Sequence, residues 1–401
     1  MRLSFKQVGS LSRSFIIPVM LLATFGCRED AEPPSGPSAE PASSVASLPV
    51  AGFIQLSGGD SHTCGITSES RAYCWGFGIL GDGQSYRLST TPVAVRGALE
   101  FRQVSAGTDH FCGITANHRA YCWGGNSSGQ VGDGTTEDRM TPVAVAGGRR
   151  FRVVDAGFFH TCALTYPDNQ AYCWGSNFRG KLGDDSVMDR TSPAAVVGGH
   201  TFRHITSGWD HSCGVTPAHR AFCWGSNTDG QVGDGSALNR RQRPVRVAGG
   251  QSFQQVDAGA FHTCGVTTEG NAFCWGQGMF GQIGDGDFAE RRSPSAVGSG
   301  IAFSRVTAGY SHACGVTADR ALYCWGNNLY GMVGDRTTAT RTTPVAVAGS
   351  RRYAEASAGS FHSCAVTMAG VALCWGNNGN GEVGDGTRID RLSPVPVAGT
   401  I

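Results

Sequence analysis

Between positions 101 and 147 the chain alternates short apolar stretches with turn-forming residues. Residues 101–107 (FRQVSAG) read as a short apolar strand ending in glycine, and residues 110–115 (HFCGIT) as a second. ANHR at 116–119 is a tight turn, and AYCWG at 120–124 is a third strand. A Gly-rich excursion fills 125–140, and TPVAVAG at 141–147 reads as a fourth strand with Pro142 at its start. Short runs bounded by Gly, Asn and Asp are strand signals. No stretch after residue 50 has the spacing of a useful amphipathic helix.

The same pattern occurs seven times. G-x-x-H-x-C-(G/A)-(I/V/L)-T, followed by C-W-G, recurs around His62, His110, His160, His211, His262, His312 and His362. The period is about fifty residues, the scale of one supersecondary unit that cannot bury its own apolar face and must stack on copies of itself. Four short strands per unit and seven units predict an all-β, seven-bladed propeller of four-stranded antiparallel blades over residues 51–401.

Composition adds constraints. The 59 glycines suit many tight turns, and a net charge of +1 with no long basic run excludes a nucleic-acid footprint. Arg2, Lys6 and Arg13 precede an apolar run from Phe15 to Phe25, too short for a stable bilayer span, so residues 1–27 read as a signal peptide. Gly26-Cys27 resembles a bacterial lipobox, although Thr24 and Phe25 depart from its usual residues. Cys27 is also the odd one among 15 cysteines, and lipidation would account for it, with plain secretory cleavage as the alternative. Residues 28–50, rich in Pro, Ser, Ala and Glu, read as a flexible tether.

The segments GTDHFCGIT, AYCWG and GQVGDGT, all within residues 107–135, resemble the repeat of the regulator of chromosome condensation family, and the likeness spans essentially all of 51–401. It implies a seven-bladed propeller and says little about function, because that family includes exchange factors, photoreceptors and inhibitors. Likeness to the plant ultraviolet photoreceptor branch is at the level of fold. Likeness to the exported bacterial β-lactamase-inhibitor branch implies a binding role.

Fourteen cysteines fall two per repeat: Cys64 with Cys74, Cys112 with Cys122, Cys162 with Cys173, Cys213 with Cys223, Cys264 with Cys274, Cys314 with Cys324, and Cys364 with Cys374. If Ile114 faces Ala120, Cys112 faces Cys122, close enough for a cross-strand bond. Seven disulfides are the expectation for an oxidising compartment, with free thiols and a His-Cys-Cys metal site as competing readings. Each repeat histidine is expected to hold its turn by bonding backbone, rather than to join a metal ring. The C-W-G tryptophans are expected to pack the blades. The recurring Gly-Asp aspartates (Asp82, Asp133, Asp184, Asp234, Asp285, Asp335, Asp385) and the returning arginines (Arg87, Arg139, Arg190, Arg241, Arg291, Arg341, Arg391) are expected to brace the excursions rather than to bind anions.

Positions shared by every copy build the wheel, so specific chemistry belongs where copies differ. The pair inside G-x-x-H and a pair before a glycine within the excursion (Ser127-Ser128 before Gly129 in the second repeat) vary most. In the first repeat that second pair reads as Ile79-Leu80. Topology places both pairs at one end of each blade, so they should surround one mouth. That mouth would display Phe158, Phe159, Phe178, Trp209, Phe261, Phe280, Tyr310, Tyr330 and Phe361, with Asp60, Asp109, Asp210 and Asp229 among them. No catalytic constellation, cofactor site or metal site emerges. The expectation is a non-enzymatic, exported, monomeric scaffold that meets a protein or peptide through this mouth and a membrane only through lipid. Guanine-nucleotide exchange and glycan binding or cleavage are the alternatives. Whether the first and last strands share a blade is left open.

Overall fold

The computed structural model describes residues 52–298 and 300–399. The expected signal peptide, Cys27 and the 28–50 tether lie outside them. Among the described residues, seven four-stranded antiparallel sheets form seven blades, each a meander in chain order. Blade 2 is typical: Phe101–Ala106 is innermost, followed outward by His110–Thr115, Ala120–Gly124 and Arg139–Ala144. Each blade is one complete repeat. The first and last strands therefore do not share a sheet: Phe53–Gly58 is innermost in blade 1, and Arg391–Pro396 is outermost in blade 7.

Two strand readings need correction. The fourth strand spans Arg139–Ala144 rather than 141–147, and a register shift lies between Cys122 and Gly124 of its partner. Proline is tolerated inside this strand because an outer edge has no neighbour on one side to receive its missing N–H. The innermost strand is not simply apolar. Its fifth residue lines the central channel in every blade and is polar (Ser105 in blade 2), and the third does so in blades 1, 2 and 7 (Gln55, Gln103 and Glu355).

That alternation protects an exposed inner edge. The fifth residue of each inner strand accepts the backbone N–H of the sixth residue in the next blade. Ser57 accepts from Ala106 (3.0 Å), Ser105 from Ala156 (2.9 Å), and Asp155 from Ser207 (2.6 Å). Thr206 accepts from Ala258 (3.2 Å), Asp257 from Ala308 (2.8 Å), and Thr307 from Ala358 (3.2 Å). Ser357 closes the circle by accepting from Gly58 (3.0 Å). A strand edge left unpaired is a template for association; here side chains cap it all the way round.

The core lies between blades. Cys112, Ile114, Cys122, Val131 and Val145 of blade 2 pack against Phe151, Val154 and Trp174 of blade 3, and an equivalent cluster fills each junction, including blade 7 against blade 1. All seven C-W-G tryptophans are fully buried, as expected. The cysteines pair as the hairpin register requires, each standing directly opposite its partner. Cys64 is bonded to Cys74, Cys112 to Cys122, Cys162 to Cys173 and Cys213 to Cys223. Cys264 is bonded to Cys274, Cys314 to Cys324 and Cys364 to Cys374. Their Cα separations are 4.0–4.1 Å. The extra turn residue before Cys173 leaves that bond unaltered, because the turn absorbs it and Cys162 still faces Cys173. The turn aspartates and returning arginines brace every excursion, for example Arg291 Nε to Asp285 Oδ2 at 2.7 Å.

The histidines act differently from expectation. His110 Nε2 reaches Thr161 Oγ1 of the next blade at 2.8 Å. Thr161 donates its only hydroxyl proton to Gln130 O at 2.9 Å, and Trp174 Nε1 donates to the same carbonyl at 2.9 Å. The hydroxyl proton is thus committed, so the imidazole must donate from Nε2 and leave Nδ1 as a bare acceptor. His160, His211, His312 and His362 make the same latch to Ser212, Thr263, Ser363 and Thr63. His62 instead sets its ring nitrogens near two backbone carbonyls, Phe77 O (3.3 Å) and Gly107 O (3.1 Å), and as a neutral ring donates to one of them; the next blade offers Phe111 in place of a hydroxyl. At that junction Phe111 stacks on Trp123 with centroids 5.7 Å apart. His262 faces Ala313 and has no partner for either ring nitrogen.

Gly132 lies flat on the neighbouring indole at φ 77°, where an added Cβ would sit 2.4 Å from Trp174 Nε1. Gly134 has a comparable φ of 92° and open space around it. Gly134→Ala is expected to cost about 1–2 kcal/mol from backbone strain alone. Gly132→Ala should cost about 1–3 kcal/mol more from overpacking. Equal urea midpoints for the two variants would show that the indole contact does not constrain the blade junction.

Candidate functional site

One end of the channel is shaped by the glycines of G-x-x-H. Phe158 N donates to Gly208 O (3.1 Å), Trp209 N to Gly259 O (3.3 Å), Ala260 N to Gly309 O (3.1 Å) and Ser360 N to Gly59 O (2.9 Å). A Cβ on Gly157 would lie 2.5 Å from Gly208 O, so only glycine lets successive blades approach this closely. This collar holds the first variable residue of each copy over the channel mouth. Asp60, Thr108, Phe158, Trp209, Ala260, Tyr310 and Ser360 line it, around a cavity of ≈ 260 Å³.

Blades 3 to 7 carry a continuous aromatic wall. Phe158 stacks on Trp209 at 3.8 Å and meets Phe159 edge-on at 4.3 Å. Trp209 contacts Phe261 at 5.4 Å and Tyr310 at 5.1 Å. Tyr310 reaches Phe361 at 5.2 Å, and Phe361 meets Tyr330 at 6.1 Å. These rings are half-buried, each shielding the next while keeping one face or edge open. Phe178 and Phe280 join none of these ring pairs. Phe178 is 55% exposed in a separate cleft with Arg179, Val187, Asn239 and Arg240. Ile79 and Leu80 are fully buried rather than at the mouth. The first excursion is shorter, and Gly81 takes the place of Gly132 by packing on Trp123 Nε1, so these two residues belong to the core.

Asp60, Asp109 and Glu382 gather where blades 7, 1 and 2 meet, whereas Asp210 and Asp229 belong to blade 4, within the aromatic wall. Asp109 accepts from Tyr86 Oη at 2.6 Å, and burial followed by the charges of Asp138 and Asp60 pushes its carboxyl up. Glu382 rises to about 7, first from burial and then from Asp390 and Asp60. Asp210 is neutralised by Lys181, whose ammonium lies 2.8 Å away and is almost wholly buried. Asp229 accepts from Thr228 Oγ1 at 2.8 Å. Sequence reasoning passes over Lys181; it stands where Gln130 and Gln231 stand in neighbouring copies, and that change of charge type was the available signal.

A family model described as an RCC1-like domain matches residues 22–298, and models of the regulator of chromosome condensation (RCC1) repeat match 303–331, 354–382 and 320–366. The ultraviolet-B receptor UVR8 of Arabidopsis thaliana is 28% identical over 244 residues, covering 59% of this chain and 56% of the receptor. The chain thus spans little more than half of that relative's length, and the likeness to the photoreceptor branch extends beyond fold into sequence. Human WBSCR16 superposes with a TM-score of 0.74 at 20% identity, covering 82% of this chain and 94% of that one. Prp20p of Saccharomyces cerevisiae, described with its binding to Gsp1p and histones, superposes with a TM-score of 0.72 at 21% identity over 83% and 87% of the two chains. Identities this low show a shared fold alone.

Proposed function

This chain belongs to the RCC1-like family of propellers, and from that premise we propose that it is a non-enzymatic, monomeric scaffold binding a protein or peptide on its aromatic mouth. The observation that carries the reading is the unbroken ring contact from Phe158 through Trp209 and Tyr310 to Phe361, built from positions that differ between copies. Rigid half-exposed aromatics bury large area at little entropic cost and dominate binding energies. That Prp20p binds Gsp1p supports a binding role for this architecture. Seven buried disulfides support export to an oxidising compartment, with Cys27 as the lipidated anchor. An exchange factor for an intracellular GTPase fits such a compartment poorly.

Capture of partners by the disulfide-intact protein, from envelope proteins and from polysaccharides in parallel, tests the reading. Trp209→Ala and Tyr310→Ala are each expected to weaken a protein partner by about 2 kcal/mol, or about thirtyfold. Unchanged affinity in both variants would remove the mouth from consideration, and exclusive capture of polysaccharide would favour the glycan alternative. Intact-mass measurement of the native protein would show the cleavage site and the acyl chains on Cys27, or their absence.

A further inference from the structure

The far end of the channel carries a second set of differences between copies. The second residue of each inner strand is Ile54, Arg102, Arg152, Arg203, Gln254, Ser304 or Ala354 in blade order. Three consecutive arginines therefore occupy one structural position in blades 2, 3 and 4. In blades 2 and 3 that position is a bulge: pairing jumps from Phe101↔Thr115 to Gln103↔Ile114 in blade 2, and from Thr165↔Phe151 to Leu164↔Val153 in blade 3. In blade 4 the inner strand begins at His204, and Arg203 just before it donates its N–H to Val215 O. A bulge re-aims the side chain of its extra residue.

The guanidinium groups are linked in series. Arg102 donates to Arg152 O at 2.6 Å, and Arg152 donates to Arg203 O at 2.5 Å and to Asn169 Oδ1. Arg203 Nη1 lies 3.2 Å from the His219 ring. Arg150 covers the Tyr166 ring at 5.2 Å, and His118 stacks on the same ring at 3.8 Å. Among the described residues, no ion pair includes Arg102, Arg150, Arg152 or Arg203, although the excursion arginines at the other end of the blades are all paired. Burial and then the neighbouring Arg102 and Arg203 charges pull Arg152 down from its ordinary value. His204 is pulled to about 4 by burial and then by Arg305, Arg152 and Arg203. Positive charges gathered this closely without a carboxylate are held at a cost, and a bound anion would relieve it.

We propose that Arg102, Arg152 and Arg203 form an anion site at the end of the channel opposite the aromatic mouth, taking ligands that carry phosphate groups. Guanidinium forks match the oxygens of a phosphate in a way an ammonium does not. Three forks in adjacent blades fit a group of charge −2 or more better than a single carboxylate. The phosphate can belong to a soluble compound or to a lipid headgroup. The inner strand separates this end from the aromatic mouth by about 17 Å, so the proposal stands independently of the mouth's partner.

Titration calorimetry with inorganic pyrophosphate at low ionic strength tests the shared chemistry. Flotation with phosphatidylcholine vesicles, with and without phosphatidic acid, identifies a lipid source. Saturable binding of either probe is expected, weakening as salt rises. The triple variant Arg102→Gln, Arg152→Gln, Arg203→Gln should abolish it, while Trp209→Ala should leave it unchanged. Arg203→Gln alone should weaken it about tenfold. This single variant keeps the backbone carbonyl that Arg152 uses, so it decides the matter if the triple variant fails to fold. Binding of phosphatidic acid vesicles without pyrophosphate would support the site and assign it to lipid. Absence of saturable binding to both probes, or unaltered affinity in Arg203→Gln, would overturn it.

Discussion

The propeller is expected to lose stability steeply as pH falls from 6.5 towards about 5. All seven repeat histidines are fully buried, and burial lowers each below its ordinary 6.5, with His110, His211, His262, His312 and His362 brought to about 3. Between those values the unfolded chain binds protons that the folded chain refuses, so acid favours unfolding. Each histidine costs up to about 1.4 kcal/mol per pH unit in that window. Four buried carboxyls act in the opposite sense: Asp155 is raised to about 8, Asp257 to about 6, and Glu355 and Glu382 to about 7, chiefly by burial. They hold protons when folded, so they lend stability below about pH 4 that fades as pH rises through those values. The buried histidines outnumber these carboxyls, so unfolding near pH 5.5 takes up protons on balance and stability falls with pH there. Urea unfolding at a series of pH values should show a maximum near neutrality. A flat profile from pH 7 to pH 5 would mean that the histidines are not held neutral. His262→Leu should reduce the acid slope by about one proton without loss of a latch, since His262 has no partner. His211→Leu should reduce the slope equally but lose stability at pH 7, because it leaves the Thr263 hydroxyl without the imidazole donor.

Replacing Cys112 and Cys122 by alanine is expected to destabilise the propeller by up to about 2.7 kcal/mol, the loop-closure value for a bond spanning some ten residues. The effect arises mainly in the unfolded chain, because the two strands already face each other in the folded one. Successive pairs should add less than this, since short hairpins keep some order when unfolded. Both sulfurs are inaccessible in every pair, so reductant alone should leave the folded protein oxidised. Reductant with denaturant should open all the bonds, and the reduced chain should then regain far less structure. Thiol counting before and after denaturation checks this. Ready reduction of the folded protein would contradict the burial, and an unchanged urea midpoint in the double variant of Cys112 and Cys122 would contradict the stabilising role.

Much of the fold was legible because a repeat multiplies weak signals. One G-x-x-H or one C-W-G says little, but seven copies at a constant period set blade number, strand count, cysteine register and the Asp–Arg braces. The aromatic mouth was partly legible. Period and strand direction brought Phe158, Trp209, Tyr310 and Phe361 to one rim, but the same reasoning included Phe178, which stands apart. Aligning the first excursion by its nearest glycine placed Ile79 and Leu80 at the mouth, whereas contact with Trp123 shows that Gly81 matches Gly132. The arginines at the far end escaped notice because they differ at a position read as plain strand, which is a bulge in blades 2 and 3 and precedes the strand in blade 4.

The sequence by itself determined what a single copy can express: its strands, its turns, its cross-strand cysteines and the need for neighbours. What lies between copies was decided only by tertiary structure. The histidine that appeared to serve its own turn donates to a hydroxyl about fifty residues away, and the fifth residue of each inner strand caps the backbone of the following blade. The reason is geometric. Contacts within a meander follow from spacing along the chain, whereas contacts between blades depend on the angle and approach that ring closure imposes, and no local pattern encodes either.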